Sequence, residues 1–328
     1  MPLKRLNSKS EARNPKQIRN SKKQSSKVSN FEIRISIGDL LAWGYRELKV
    51  LGVREAQANT DRILEEVLKV ERTHLFLNAD QKAAARDVKR FRQLIARRKL
   101  RIPLAYLLKK AYFWNEVLEV GPGCLIPRPE TEILVDSFIQ KSGFGQNDFF
   151  TFADVGSGSG AIGIALLRHF KKARAVFLDI SAGALAVTRR NVKRYGLTGR
   201  CKIIKSDLLK AVLKRPKLDA VISNPPYVAG KDWKTLEPEV LKEPHVALLG
   251  GQEGLDFYSR IALEAREVLK PGGVLGFELG WKLAKSVKNF VSKAQFHSIE
   301  IIKDYNRIDR VLLARMDEVT NGRVDDRK

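Results

Sequence analysis

The sequence predicts an α/β fold: a mostly parallel, doubly wound sheet with an antiparallel last strand, preceded by a small helical bundle and a β-hairpin linker. Three observations predict it. From about residue 130, short apolar runs alternate with helical segments, as in a parallel sheet covered on both faces. Residues 36–111 carry apolar side chains at helical spacing and no strand signal. Between these regions lies a short apolar stretch broken by Gly121-Pro122-Gly123, a turn signal.

The 328 residues carry a net charge of +24. Residues 1–30 hold nine Lys or Arg against one acid, Glu11, and so supply +8 of it. They have almost no large apolar side chains to offset ordering entropy, so 1–35 is expected to be a disordered basic tail. The tail is too poor in apolar residues for an amphipathic transit helix, and no secretory leader is expected. No apolar run reaches the length of a membrane span. The two cysteines, Cys124 and Cys201, form no short-spaced motif, which argues against a disulfide framework or zinc site and fits the cytoplasm. The basic balance suggests nucleic acid, a ribonucleoprotein or an acidic protein as partner, and the tail is a candidate for weak RNA or ribosome contact. A monomer without membrane contact or bound metal is expected.

Within 36–111, a first helix from Asp39 to Leu51 carries Leu40, Leu41 and Leu48. Thr60 is placed to cap a second, bearing Ile63, Leu64, Val67 and Leu68. A third, from about Asp80, sets Val88, Phe91 and Leu94 or Ile95 on one face and Lys82, Arg86, Lys89, Arg90, Arg97 and Arg98 on the other. In the linker, 112–129, strands are expected at 113–120 and 124–126 around the 121–123 turn. The sheet region, 130–316, offers strands at 149–155, 175–179, 201–204, 218–223, 273–279, 298–303 and 310–314. The short link 304–309 makes the last two antiparallel. A polar tail, 317–328, follows.

Chemistry-bearing residues fall at the strand ends. Asn224-Pro225-Pro226-Tyr227 closes the strand 218–223. Each proline holds the residue before it extended, so the Asn224 side-chain oxygen and the Pro225 carbonyl project rigidly together. Two fixed acceptors suit a planar –NH2 group with two donors, and Tyr227 can lie against whatever carries it. Asp154-Val155-Gly156-Ser157-Gly158-Ser159-Gly160 leads from a strand into a helix, a turn that brings backbone close to a ligand. Its G-x-G-x-G spacing departs from the dinucleotide fingerprint, and a tight strand–helix connection would read alike. Asp179, 23 residues beyond Gly156, ends the next strand, where an acid can accept ribose hydroxyls. Asp179 or Ser181 could equally cap the following helix. Asp207 and Leu208 follow a third strand, where an acid can meet an adenine amine and an apolar side chain its ring; another helix cap is the alternative. Open α/β sheets bind ligands at this edge. The histidines, His74, His169, His245 and His297, form no cluster.

This combination resembles the S-adenosylmethionine-dependent methyltransferases. More closely, Leu125-Ile126-Pro127-Arg128-Pro129-Glu130-Thr131-Glu132, Ile102-Pro103-Leu104-Ala105-Tyr106-Leu107 with Phe113-Trp114, Glu243-Pro244 with Gly251 and Gly254, and Asp304-Tyr305 with Arg310 resemble the HemK-type release factor N5-glutamine methyltransferases. The resemblance covers about 38–316. It implies a Rossmann-like class I methyltransferase sheet and methyl transfer from S-adenosylmethionine to the glutamine of a Gly-Gly-Gln tripeptide in class-I peptide chain release factors. By resemblance, Gly156, Ser157, Gly158, Ser159 and Gly160 wrap the methionine part of the cofactor, Asp179 the ribose, and Asp207 with Leu208 the adenine. Arg128 and Thr131 help close the cofactor site, Arg128 having an ion-pair role as its alternative. Asn224 and Pro225 accept the substrate amide hydrogens, flanked by Pro226 and Tyr227. The helical domain docks the substrate. Two departures stand out: the family carries glycine before the Ile-Pro step and before the Phe-Trp segment, where this chain has Arg101 and Lys109 or Lys110. Rival readings are a DNA or RNA base amine methyltransferase, which shares the Asn-Pro-Pro-Tyr motif, and a non-catalytic nucleic-acid-binding protein.

Overall fold

The computed structural model describes residues 35–213 and 217–317. The tails expected over 1–35 and 317–328 lie outside it, but for Ile35 and Asp317.

The bundle begins with α1 (Ile37–Val50), started by a reciprocal capping box. Asp39 N–H donates to Ser36 Oγ at 3.1 Å, and Ser36 N–H donates to Asp39 Oδ2 at 3.0 Å. Helix α2 (Ala56–Leu68) starts a full turn before the expected Thr60. Thr60 is buried mid-helix instead, and its hydroxyl donates to the Ala56 carbonyl at 2.8 Å, the back-bond a helical threonine uses away from water. A short α3 (Arg72–Leu77), which periodicity does not mark, precedes α4 (Ala85–Lys99) and α5 (Leu104–Leu108). Leu40, Leu48, Ile63, Leu64, Phe91 and Ile95 make the bundle's core.

The hairpin lies earlier than expected. Strands β1 (Lys110–Phe113) and β2 (Glu116–Glu119) pair antiparallel, Phe113 opposite Glu116. Trp114 turns the chain at φ 52°, a conformation no local rule assigns to tryptophan. It is fixed from α6 (Pro129–Lys141): its N–H donates to Glu132 at 2.7 Å and its indole N–H to Asp136 at 2.9 Å. Residues 124–126, expected as the returning strand, are irregular. Side chains hold them instead: Tyr106 Oη donates to the Cys124 carbonyl at 2.5 Å, and Ile126 N–H donates to Glu243 at 2.9 Å.

The main sheet has seven strands: β3 (Thr151–Val155), β4 (Arg174–Asp179), β5 (Cys201–Lys205), β6 (Leu218–Ser223), β7 (Leu269–Glu278), β8 (Phe296–Lys303) and β9 (Asp309–Met316). Their order is β5-β4-β3-β6-β7-β9-β8. All pairings are parallel except those of β9 with β7 and β8. The expected antiparallel end is therefore present. Continuous apolar runs such as Ala220-Val221-Ile222 fit strands buried on both faces. Helices α6, α7 (Ala161–His169) and α8 (Ala182–Arg194) pack on one face; α9 (Asp256–Val268) and α10 (Ala284–Lys293) pack on the other. The strand order reverses between β3 and β6, so their C-terminal ends frame a crevice.

Side chains join bundle to sheet. Arg98, expected on the solvated basic face of α4, is buried. It donates to Asn59 at 2.8 Å and to Glu239, from the segment between β6 and α9, at 2.8 Å. Arg101 reaches the same carboxylate at 3.2 Å. Its backbone is left-handed, at φ 63°, and its guanidinium binds the Leu51 and Gly52 carbonyls. Lys109 is also left-handed, at φ 56°.

Candidate active site

A cavity of about 360 Å³ opens at the C-terminal ends of β3, β4, β5 and β6. Its wall includes Gly156, Gly158, Asp179, Asp207, Leu208, Asn224, Pro225 and Pro226, all expected from the sequence. Leu125, Val246, Phe257 and Arg260 also line it, and no site role was expected of them. Ser157, Ser159, Gly160, Arg128, Thr131 and Tyr227 are not in the wall. A larger groove of about 870 Å³ lies between α2, α3 and β1, away from these residues.

The glycine-rich turn is built for close approach. Gly156, Gly158 and Gly160 have φ of 70°, 57° and 83°. The Gly158 carbonyl accepts from Thr188 at 2.9 Å, and the Ser159 carbonyl from Asn191 at 2.9 Å. Asn191 also exchanges two bonds with Glu119 of the hairpin, at 2.7 and 2.9 Å, so one side chain joins turn, helix and linker. Asp154 is buried, and Gly163 N–H donates to its Oδ2 at 2.9 Å. Its Oδ1 and the Ser157 hydroxyl have no protein partner. Burial pushes the Asp154 carboxyl up to about 7.

Asp179 Oδ2 accepts from Gly158 N–H at 2.9 Å, and Oδ1 from Ser181 N–H at 2.8 Å. The capping role belongs to Ser181, whose hydroxyl accepts from Ala184 N–H at 3.2 Å. Burial raises the Asp179 pKa against these bonds. Each oxygen keeps lone pairs for further donors. Asp207 differs: it is held by Lys210 at 2.5 Å and by Arg260 at 2.8 and 2.9 Å. These cations, Lys210 first, hold its carboxyl below the ordinary range. Leu208 stands beside it at φ 52°.

Asn224 ends β6. Its Nδ2 donates to Thr131 Oγ1 at 3.0 Å. Thr131 Oγ1 donates to Glu278 Oε2 at 2.5 Å, and Tyr227 Oη donates to Glu278 Oε1 at 3.2 Å. Glu278 is fully buried at the end of β7, and burial pushes its carboxyl up to about 7. Tyr227 is raised too, by burial and then by the neighbouring carboxylate. Arg128 pairs with the buried Glu243, taking the ion-pair alternative. Glu243 anchors the turn whose Pro244, Val246 and Ala247 wall the cavity. The sequence held one signal for Glu278: an acid closing the apolar run Val274-Leu275-Gly276-Phe277, as Asp179 closes its strand. Arg260 had none, being one cation on an amphipathic helix.

Comparison with known proteins agrees with this geometry. Residues 130–251 match the Methyltransferase small domain family, and residues 39–108 the PrmC N-terminal domain family. The release factor glutamine methyltransferase of Clostridium acetobutylicum is 36% identical over 282 residues, covering 85% of this chain and 98% of that protein. The chain belongs to the release factor glutamine methyltransferase family. A second member, from Geobacter sulfurreducens, is 35% identical over 282 residues, covering 86% of this chain and 97% of that protein. S-adenosylmethionine, the cofactor that membership implies, fits the residues present. Asp179 and Asp207 lie in the wall of this sheet-edge cavity and offer carboxylate acceptors to hydroxyl and amine donors. The orphaned Asp154 Oδ1 and Ser157 Oγ add unmet polar capacity under the turn.

Proposed function

We propose that this chain transfers a methyl group from S-adenosylmethionine to the side-chain amide nitrogen of glutamine in the Gly-Gly-Gln motif of a class-I peptide chain release factor. One observation carries the reading: Asn224 spends its –NH2 on Thr131 and so keeps Oδ1 as an acceptor, and Asn224 and Pro225 both line the cavity. An acceptor pair suits a substrate amide, whose nitrogen brings two donors.

The cofactor supplies an electrophilic methyl on a sulfonium. The amide nitrogen is a weak nucleophile because its lone pair is delocalised into its carbonyl. Asn224 Oδ1 and the Pro225 carbonyl accept its two hydrogens, raise electron density on nitrogen and stabilise the positive charge that develops there. Pro225 and Pro226 hold both acceptors still, so little reorganisation accompanies reaction. Tyr227, half-buried against Glu278, packs beside the glutamine side chain. Gly156–Gly160, Asp179 and Asp207 with Leu208 bind the cofactor, and Thr131 acts through Asn224. The enzyme works as a cytoplasmic monomer, with 36–111 as docking domain and the basic tail as an RNA or ribosome contact.

Labelled S-adenosylmethionine offered with purified release factor, with a factor whose tripeptide glutamine is replaced, and with DNA and RNA tests this. Label should enter the wild-type factor alone. Label on nucleic acid but not on the factor would install the base-methylating reading. Arg86, Lys89, Arg90 and Arg97 remain exposed on α4 for an acidic factor surface. Association should therefore slow as salt rises; a salt-independent rate removes this contact.

A further inference from the structure

The clamp's direction is set from outside the motif. We infer that Glu278 is the positioning residue that orients the Asn224 amide, acting through the Thr131 hydroxyl. The inference rests on the proposed role of Asn224 Oδ1 as substrate acceptor.

The argument is one of donors and acceptors. An ionised carboxylate only accepts. Glu278 Oε2 at 2.5 Å therefore takes the Thr131 hydroxyl hydrogen. Thr131 Oγ1 then has only lone pairs for Asn224, which must present its –NH2, here at 3.0 Å. The opposite end of that amide, Oδ1, is left for the cavity. Tyr227 takes the second Glu278 oxygen at 3.2 Å, so both polar side chains of Asn224-Pro225-Pro226-Tyr227 answer to one carboxylate. Both proline backbones are rigid, but an amide can still rotate by half a turn. In the reversed orientation it would meet the substrate –NH2 with its own –NH2. Thr131, absent from the cavity wall, matters here because of what it tells Asn224.

Protonation reverses the logic. A neutral Glu278 can donate to Thr131, whose freed hydrogen then suits Asn224 Oδ1. The groups facing Glu278 are few. Arg310 on β9 favours the carboxylate, while Glu130 on α6 disfavours it. Thr131 and Tyr227 bond its oxygens, and Tyr258 on α9 donates to its backbone carbonyl at 2.9 Å. Arg310 itself is tied to Asp304 at 3.2 Å. Burial outweighs the favourable contacts, so the carboxyl titrates near neutrality, at about 7. Turnover should rise through that pH as the carboxylate forms.

Three variants and two readouts test this. Thr131→Val keeps the shape and removes the relay; kcat should fall about 100-fold, a loss typical of one misplaced transition-state contact. Its KM for the factor and its cofactor dissociation constant should stay within about twofold of wild type. Thr131→Ser should restore turnover. Glu278→Gln should lose the acidic limb of the kcat–pH profile, because an amide does not titrate there. The second readout needs no substrate. By NMR, the Asn224 side-chain amide, assigned through its loss in Asn224→Asp, should shift with pH near neutrality in wild type and not in Glu278→Gln. Its protons should exchange faster in Thr131→Val. An Asn224 amide indifferent to both substitutions overturns the inference, even if the factor is methylated. An acidic limb that survives in Glu278→Gln also overturns it. An Asn224 amide that responds as described, in an enzyme that fails to methylate the factor, upholds the relay and removes the proposed substrate.

Discussion

The two ends of the cavity handle buried polarity in opposite ways. At the acceptor end, Asn224, Thr131, Glu278 and Tyr227 bond to one another, side chain to side chain, around the buried Thr131 and Glu278. At the end proposed to bind the nucleoside, the acids are held by backbone N–H groups and cations: Asp179 by Gly158 and Ser181, Asp207 by Arg260 and Lys210. The contrast follows from the work required. A reacting nitrogen must be held in one orientation through a change of charge, which favours an interlocked network. A nucleoside must bind and leave, so its partners are pre-satisfied groups with lone pairs to spare. The electrostatics do not divide along the same line: burial raises both Glu278 and Asp179, and Asp207 alone of the three is lowered, by its cations.

The sharpest way to break this contrast is Asn224→Ala. Turnover should drop about 10²–10³-fold, the cost of one transition-state partner, while cofactor affinity measured by calorimetry stays near wild type. Equal losses in both would merge the two ends into one function. Asp179→Ala should do the reverse. Cofactor affinity should weaken by about 1.5–3 kcal/mol, roughly 10- to 150-fold, with kcat at saturation little changed. A kcat loss at saturation would give Asp179 a part in chemistry.

Asp154→Asn gives a smaller effect, read from stability. Burial raises the Asp154 pKa to about 7, so its neutral form is the one the fold favours. Its contribution is fully present below the unfolded pKa, near 3.8, and is lost as pH rises through about 7. Wild type should therefore lose melting temperature over that window, and Asp154→Asn should lose less. Glu278, raised to about 7, has the same sign and should account for part of the remaining slope. Identical slopes in wild type and Asp154→Asn would show that the carboxyl is not the source.

Much of this was legible in the sequence because buried parallel strands are short apolar runs. The runs 218–223 and 201–204 locate β6 and β5 to within one residue. The acids at strand ends were legible for the same reason, since a polar residue closing such a run sits at the sheet edge. The hairpin was misplaced because its turn depends on Trp114 being pinned by Glu132 and Asp136, contacts that local pattern does not encode. Thr60 looked like a cap because a threonine before an apolar run usually is one; only packing shows it buried against α1 and α4. The relay was hidden most deeply. Residues 131, 224 and 278 lie in three separate segments, and only the β6–β7 pairing and the placement of α6 bring them within hydrogen-bond reach.

Arg101 carries a mechanical consequence. A glycine before the Ile-Pro step would leave a joint free to swing. Arg101 adopts a left-handed backbone that glycine would take without strain, and fastens its head to Leu51, Gly52 and Glu239, while Arg98 grips Glu239 from inside. A pivot has become a strut. On the proposed docking role of the bundle, the span from bundle to Asn224 is a fixed gauge, and a substrate would be measured by how far its glutamine stands from the docked surface. Arg101→Gly should loosen that gauge. Release factors with residues inserted beside the tripeptide should be methylated by Arg101→Gly more nearly at the rate of the natural factor than they are by wild type, and an unchanged ratio would show that the strut bears no such load.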